Sequence, residues 1–296
     1  MKRRGERSDP ADDKRTKHEA AVTEGKEALR VGNFKKYYAF RWGGAIEGKL
    51  EEDSRLSIFQ KEWFEGKKAL DIGCNSGDFT LEIARRFAPA FIMGVDCDAD
   101  LITQARASLK EYISKLAVQE AFREVQKEEG DDEDEELPLS FRLWKPPAST
   151  QPAVDPLPNI GSFASGVRFP YNVVFKRENI AMDVHTGKDY DVITLSVTKW
   201  IHLYHGDAGI KQLFHLVHAL LMPGGRFILE PQKWKSYHNR KHTNETTRMN
   251  YESITLRPSD FSAYLLETVG FRSVTLLKVC STSNHGFRRP VYLYQK

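Results

Sequence analysis

The sequence predicts an α/β fold: a Rossmann-like, doubly wound, mostly parallel sheet finished by an antiparallel edge. Three observations predict it. From residue 67 onward, short apolar runs alternate with amphipathic segments of helical period. The first apolar run, Lys68–Ile72, ends in a glycine-bearing loop, D71-I-G-C-N-S-G-D78. The second, Phe91–Val95, is closed by a carboxylate, Asp96.

Each element follows from its residues. KALDI (68–72) is apolar enough to be buried on both faces, as a parallel strand must be. Gly77–Phe87 reads as a helix, with Phe79, Ile83, Ala84 and Phe87 at helical spacing. After the second strand, Asp98 is placed to cap a helix from Ala99 to about Val118. Between about 119 and 170 the pattern stops. Ten acidic residues fall within 119–136, and seven of the chain's 13 prolines fall before the alternation resumes. That composition predicts a flexible acidic, proline-rich insertion interrupting one domain over 31–296. The alternation returns with strands at Asn172–Phe175 and Asp191–Val197, a helix from about Asp207 to Leu221, a turn at Pro223–Gly225 and a strand at Arg226–Glu230. A helix over Pro258–Val269 and the strands Val274–Val279 and Val291–Tyr294 complete it, the last two as an antiparallel edge pair.

Composition sets outer bounds. With 296 residues, 40% hydrophobic and 29% charged, the chain carries an ordinary globular core. No stretch approaches the roughly 18 apolar residues that cross a bilayer. Three cysteines, Cys74, Cys97 and Cys280, form no CxxC pair and point to a reducing compartment. Residues 1–30 read as a disordered basic arm; 1–17 alone hold seven Lys/Arg against four Asp/Glu. A nuclear address, an RNA-touching tail and solvated disorder all fit it. Segment 233–248, KWKSYHNRKHTNETTR, carries five Lys/Arg and one Glu, so it is either a phosphate-facing surface or a solvated loop.

The chemistry concentrates at strand ends. Gly73 and Gly77 lie where a strand becomes a helix, where the backbone turns tightly and a ligand approaches closely. The loop lacks the pyrophosphate fingerprint GxGxxG, and it suits the aminoacyl and ribose groups of S-adenosylmethionine. Asp96 is placed to accept both ribose hydroxyls. The histidine pairs 215/218 and 238/242 have helical spacing but no Cys or acidic partners, so no metal site is expected.

NFKKYYAFRW (33–42), DIGCNSG (71–77), DVITLSVTKWIHL (191–203) with HGD (205–207), EPQKWKSY (230–237) and GFRRPVYLY (286–294) together resemble the Bicoid-interacting-3 family of RNA methyltransferases, and within it the branch that caps small nuclear RNA with methylphosphate. The likeness covers about 33–118 and 170–296. It implies methylation of the γ-phosphate at the 5′ end of a small non-coding RNA, with S-adenosylmethionine as cofactor, in a nuclear, monomeric enzyme with possible ribonucleoprotein partners. By that resemblance Tyr37, Arg55, Gly73, Cys74, Asn75, Asp96, Asn179 and Leu195 line the cofactor pocket, and Asp71, Gly77, Cys97 and Ile180 beside them are further candidate cofactor contacts. Ile180 stands where the family carries an aromatic residue. The candidate catalytic residues are Lys199, His202, Tyr37 and Arg41. Lys199 sits at the carboxyl edge near the phosphates, and His202 either donates to phosphate or fixes the loop. Trp200 either stacks on a base or packs beneath it. Trp234, Tyr237, Arg288 and Arg289 are the candidate RNA contacts.

A phosphate oxygen is already ionised at neutral pH, so the reaction needs alignment and cationic donors, not a general base. The motif directly after the fourth strand, TKWIHL (198–203), holds no catalytic carboxylate, and no NPPY-like amine-binding motif occurs. The alternatives are methylation of a 5′-monophosphate RNA, or an RNA-binding chaperone that keeps the fold.

Overall fold

The computed structural model describes residues 53–128, 168–279 and 288–296. The basic arm, Tyr37, Arg41, Cys280 and most of the acidic insertion lie outside the described residues.

After a short 3-10 turn at Leu56–Ile58, the elements run α1 (Lys61–Phe64), β1 (Lys68–Ile72), α2 (Asp78–Phe87), β2 (Phe91–Asp96), α3 (Ala99–Glu128), β3 (Val173–Arg177), β4 (Tyr190–Leu195), α4 (Thr198–Leu220), β5 (Leu221–Leu229), α5 (Trp234–His238), α6 (Glu245–Ser253), α7 (Phe261–Tyr264, continued by a π turn over Leu265–Val269), β6 (Ser273–Val279) and β7 (Pro290–Gln295). The seven strands order as β3-β2-β1-β4-β5-β7-β6. β1 to β5 are parallel, and β7 inserts antiparallel between β5 and β6. The carboxyl ends of β1, β2, β4 and β5 therefore share one edge, and the winding reverses between β1 and β4.

Side chains alternate across this sheet with period two. Leu70, Ile72, Ile193 and Phe227 pack on one face with Phe214 and Val217 of α4 and with Phe261 and Leu265. Ala69, Val192 and Ile228 pack on the other with Phe79, Ile83 and Ala84 of α2 and Ala105 of α3. Burial on both faces explains why the central strands read as continuous apolar runs. The connection from β3 to β4, residues 178–189, crosses its face without a helix.

The elements depart from the sequence reading in instructive places. α3 runs on to Glu128 instead of stopping near Val118; residues 119–128 are nearly all good helix formers, so acidity does not end the helix. Asp98 does cap it, accepting from the backbone N–H of Asp100 (2.8 Å) and Leu101 (3.1 Å). α4 begins at Thr198, not Asp207, and is broken at Gly206 (φ 61°, ψ −166°). The expected turn at Pro223–Gly225 lies within β5 as a bulge, since Tyr190 pairs Leu221 while Val192 pairs Arg226. The basic segment 233–248, which its composition leaves open between a phosphate-facing surface and a solvated loop, forms α5 and the start of α6. Asn244 caps α6, accepting from Thr247 N–H (2.8 Å) while its own N–H donates to Thr247 Oγ1 (3.1 Å).

Gly77 precedes α2 at φ +81°, where an added Cβ would lie 2.6 Å from the Phe175 ring and 2.8 Å from Ala105 Cβ. Gly77→Ala is expected to destabilise the fold by about 2 kcal/mol, read as a lower urea midpoint at unchanged slope.

Candidate active site

Open α/β sheets bind ligands in the crevice at the winding reversal, and the glycine loop after β1 lies at that reversal. Gly73 adopts φ +78°, and a side chain there would overlap Val197 beyond the end of β4. Its N–H and that of Cys74 donate to Val95 C=O at 2.8 and 3.0 Å, which tucks the loop against β2. Asn75, itself at φ 54°, donates its N–H to Asp96 Oδ2 (3.0 Å), and Asp98 N–H donates to Asp96 Oδ1 (3.0 Å). A carboxylate offers about four acceptor positions, so roughly two remain for hydroxyl donors. Burial pushes the Asp96 carboxyl above its usual range, which further donors would relieve.

Asp71 is buried behind the loop, its oxygens each accepting at 2.6 Å from Thr80 and Thr194 hydroxyls. It braces the loop rather than facing the crevice. Cys74 is likewise buried, and Cys97 is half-buried with its thiol pushed up to about 11 by burial and by Asp96. The side chains of Leu195 and Ile180 belong to the core, while Asn179 is half-buried just past β3. Arg55 lies over the Phe79 ring (3.5 Å to the centroid). It is clamped by Asp53 (2.7 and 3.0 Å) and reaches Ser196 (3.4 Å) and Glu230 (3.5 Å) at the ends of β4 and β5. A ribose-accepting carboxylate, a loop without room for side chains and a buried mixed-charge end fit S-adenosylmethionine.

Cations gather on the neighbouring side. Gln232, in the loop after β5, accepts from Thr198 Oγ1 and Lys199 N–H, both at 2.9 Å, and its amide donates to Ser196 C=O. This stitch ties the end of β4 to the end of β5 and satisfies an orphan N–H in the first turn of α4. It holds Lys199 only 6% exposed, with Nζ 3.1 Å from Ser236 Oγ and 4.3 Å from the Trp200 ring centroid. Among the described residues no carboxylate pairs with this ammonium. Burial, then Arg289 and Arg240, lowers the Lys199 pKa to about 7. Arg289 is itself only 8% exposed, whereas Arg288 is exposed.

Near Lys199 the structure favours the loop-fixing reading of His202 over the phosphate-donating one, and it corrects the expectation for Tyr237. His202 is fully buried, with Nε2 2.8 Å from Asp207 Oδ1 and its ring edge-on to Tyr237. It therefore fixes α4 at the Gly206 break and does not reach solvent or a phosphate. Asp207 is held to about 2 by hydrogen bonds from Thr255, His202 and Leu256 that outweigh its burial. Tyr237 is also fully buried, packed with Leu203 and Ile254, and offers no face to a base. Trp234 is half-buried; it stacks on Tyr251 (4.7 Å, 12°) and has the Arg257 guanidinium 5.2 Å from its ring centroid. Trp200 is half-buried. Sequence reasoning passed over Gln232 and Ser236. Their signal was the EPQKWKS motif, which lies near Lys199 only through the β4–β5 pairing. Among the described residues no three His, Cys, Asp or Glu side chains converge as metal ligands would, and no helix is long and apolar enough to cross a membrane.

This strand order, with the glycine loop and the carboxylate closing β2, defines an S-adenosylmethionine-dependent methyltransferase of class I. A general methyltransferase-domain model matches residues 69–134, and the model of Bicoid-interacting protein 3 matches 190–296. An Arabidopsis thaliana protein named "Probable RNA methyltransferase" is 38% identical over 276 residues, covering 91% of this chain and 81% of its own. The mouse 7SK snRNA methylphosphate capping enzyme is 39% identical over 282 residues, 90% of this chain but 41% of that longer protein. The Drosophila melanogaster U6 snRNA methylphosphate capping enzyme is 32% identical across 90% of this chain and 75% of its own. The chain belongs to the Bicoid-interacting protein 3 family.

The Lys199 shift has a measurable consequence. As pH rises through about 7 the buried ammonium loses its proton, and with it part of its attraction for anions. Affinity for tripolyphosphate, compared with that of Lys199→Arg at each pH, is expected to fall between pH 6 and 8.5, because the guanidinium stays charged throughout. A constant ratio across that range would contradict the shift.

Proposed function

We propose that the protein methylates a terminal phosphate oxygen at the 5′ end of a small non-coding RNA, the γ-phosphate of a triphosphate end. The observation that carries this reading is the buried Lys199 ammonium, in the field of Arg240 and Arg289, at the edge of a methyltransferase crevice. A cationic pocket of this depth calls for a polyanion. The capping activities named for the mouse and fly relatives fit it.

S-adenosylmethionine, when bound, supplies a methyl group made electrophilic by its positively charged sulfur. The residues of this chain then bind and align. Asp96 is suited to hold the ribose hydroxyls, and Arg55 with Asp53 and Glu230 faces the aminoacyl end. Gly73 and Asn75 keep the loop low beneath it. Lys199, Ser236, Arg240 and Arg289 neutralise and orient the phosphates, so that one oxygen points at the methyl carbon. The acceptor oxygen carries its charge already, and the reading asks no proton of His202 or Asp71, both of which are committed elsewhere. Tyr37 and Arg41, assigned by family resemblance, would cover the cofactor from the N-terminal side. Trp200, Arg288 and the basic face of α5 would track the following nucleotides. A small nuclear RNA substrate would place the protein in the nucleus, with ribonucleoprotein partners.

The test is methyl transfer from labelled S-adenosylmethionine to one short RNA bearing a 5′-triphosphate, a 5′-monophosphate or a 5′-hydroxyl. Label is expected on the triphosphate RNA, with Lys199→Ala reducing the rate by about 100-fold. Label on the monophosphate alone would assign the activity named for the Xenopus laevis pre-miRNA 5′-monophosphate methyltransferase, which is 24% identical. RNA binding without label would assign a binding protein.

A further inference from the structure

Doubly wound folds usually cover each parallel crossover with a helix, but residues 178–189 cross from β3 to β4 without one. Apolar anchoring of this segment is thin: Ile180 is in the core, but Met182 is 68% and Val184 86% exposed. Polar contacts hold it instead. Glu178 N–H donates to Asp96 C=O (2.9 Å), extending the β2–β3 ladder by one bond. The Glu178 carboxylate is buried, with Oε1 2.6 Å from His185 Nδ1 and Oε2 2.6 Å from Lys176 Nζ. His185, its side chain wholly buried, reaches the Tyr190 hydroxyl at the start of β4 through Nε2 (3.0 Å). Burial would raise the Glu178 carboxyl, yet the contacts to His185 and Lys176 outweigh it and hold it below its usual value. The backbone passes so close that a Cβ on Gly187 would lie 2.7 Å from His185 Nε2.

What this strut fixes is next to the cofactor crevice. Glu178 is bonded to the carbonyl of Asp96 and is followed directly by Asn179 and Ile180. Asn179 is itself turned tightly, its N–H donating to Asp183 Oδ2 (2.9 Å) and its carbonyl accepting from Met182 and Asp183 N–H at 2.8 Å. With no helix above, the Glu178–His185 contact ties the residue before this pair to the far end of the same connection.

We infer that His185 is a positioning residue for the cofactor: through Glu178 it sets the wall formed by Asn179 and Ile180 beside Asp96, and so governs cofactor affinity without touching the cofactor. The inference rests on the S-adenosylmethionine reading of the crevice. It assigns the Glu178 side of the imidazole the decisive contact and the Tyr190 side a supporting one.

Two variants of the full chain separate those sides. His185→Asn keeps an amide near the position of Nδ1, facing Glu178, whereas His185→Gln keeps one near Nε2, facing Tyr190. Calorimetric titration with S-adenosylhomocysteine is expected to show affinity weakened about tenfold in His185→Gln and largely restored in His185→Asn. The KM for S-adenosylmethionine should rise in step, while the KM for RNA and kcat at saturating cofactor stay within about twofold. Unchanged cofactor affinity in both variants would overturn the inference. So would parallel losses of RNA affinity, kcat and thermal stability, which mark a strut of the fold alone. Wild-type protein that binds no S-adenosylhomocysteine would overturn the site reading and this inference with it.

Discussion

A lysine ammonium held nearly out of water, with no carboxylate paired to it among the described residues, is the constraint around which this edge of the molecule is organised. Such a charge is costly to bury and lowers its own pKa in response. Ordinary packing would let the side chain swing to solvent, as lysines do. Here the Gln232 stitch fixes the start of α4, Ser236 receives the amine, and the Trp200 ring lies beside it. Below, His202 and Asp207 pin the helix at its break, and Tyr237 fills the space beneath. These residues look separate in sequence, yet among the described residues they enclose one cation and leave it without a carboxylate partner.

Charge is divided across the winding reversal in a way that suits two unlike ligands. The β1–β2 side offers carboxylates, with Asp96 presenting spare acceptor capacity and Asp71 bracing the loop. The side formed after β4, β5 and before β7 offers Lys199, Arg240 and Arg289. Gly73, at the end of β1, packs against Val197 beyond the end of β4 so tightly that a side chain there would overlap it. Group transfer by positioning requires two ligands held close, since a misplacement of about 1 Å forfeits much of the rate.

Much of this was legible before any coordinates. The strand run of β1, the glycine loop and Asp96 lie within the 29 contiguous residues 68–96, and local chemistry dictates them. The parallel core was legible because burial on both faces leaves an unbroken apolar signature in β1, β2 and β4. What escaped reading depends on distant partners. Tyr237 sits in a basic run and looks like a surface aromatic, yet Leu203 and Ile254 bury it. His202 looks like a site histidine until Asp207 and Tyr237 enclose it. Gln232 acquires meaning only when β4 and β5 pair. The helix at Thr198 was obscured by Gly206, which reads as a boundary but is an internal break held by Asp207. The length of α3 is hidden in the sequence because an acidic run suggests disorder, although glutamate is a good helix former.

The most direct measurement is thermal unfolding of the wild type and of Lys199→Met, each with and without tripolyphosphate. Replacing a buried cation that no carboxylate pairs among the described residues by an apolar side chain of similar length should leave the free protein as stable or more stable. The wild type should gain stability with the anion, and the variant, left with Arg240 and Arg289, should gain clearly less. A Lys199→Met protein that is less stable when free, or that is stabilised by tripolyphosphate as much as the wild type, would contradict the account of Lys199 as a cation held for an anion.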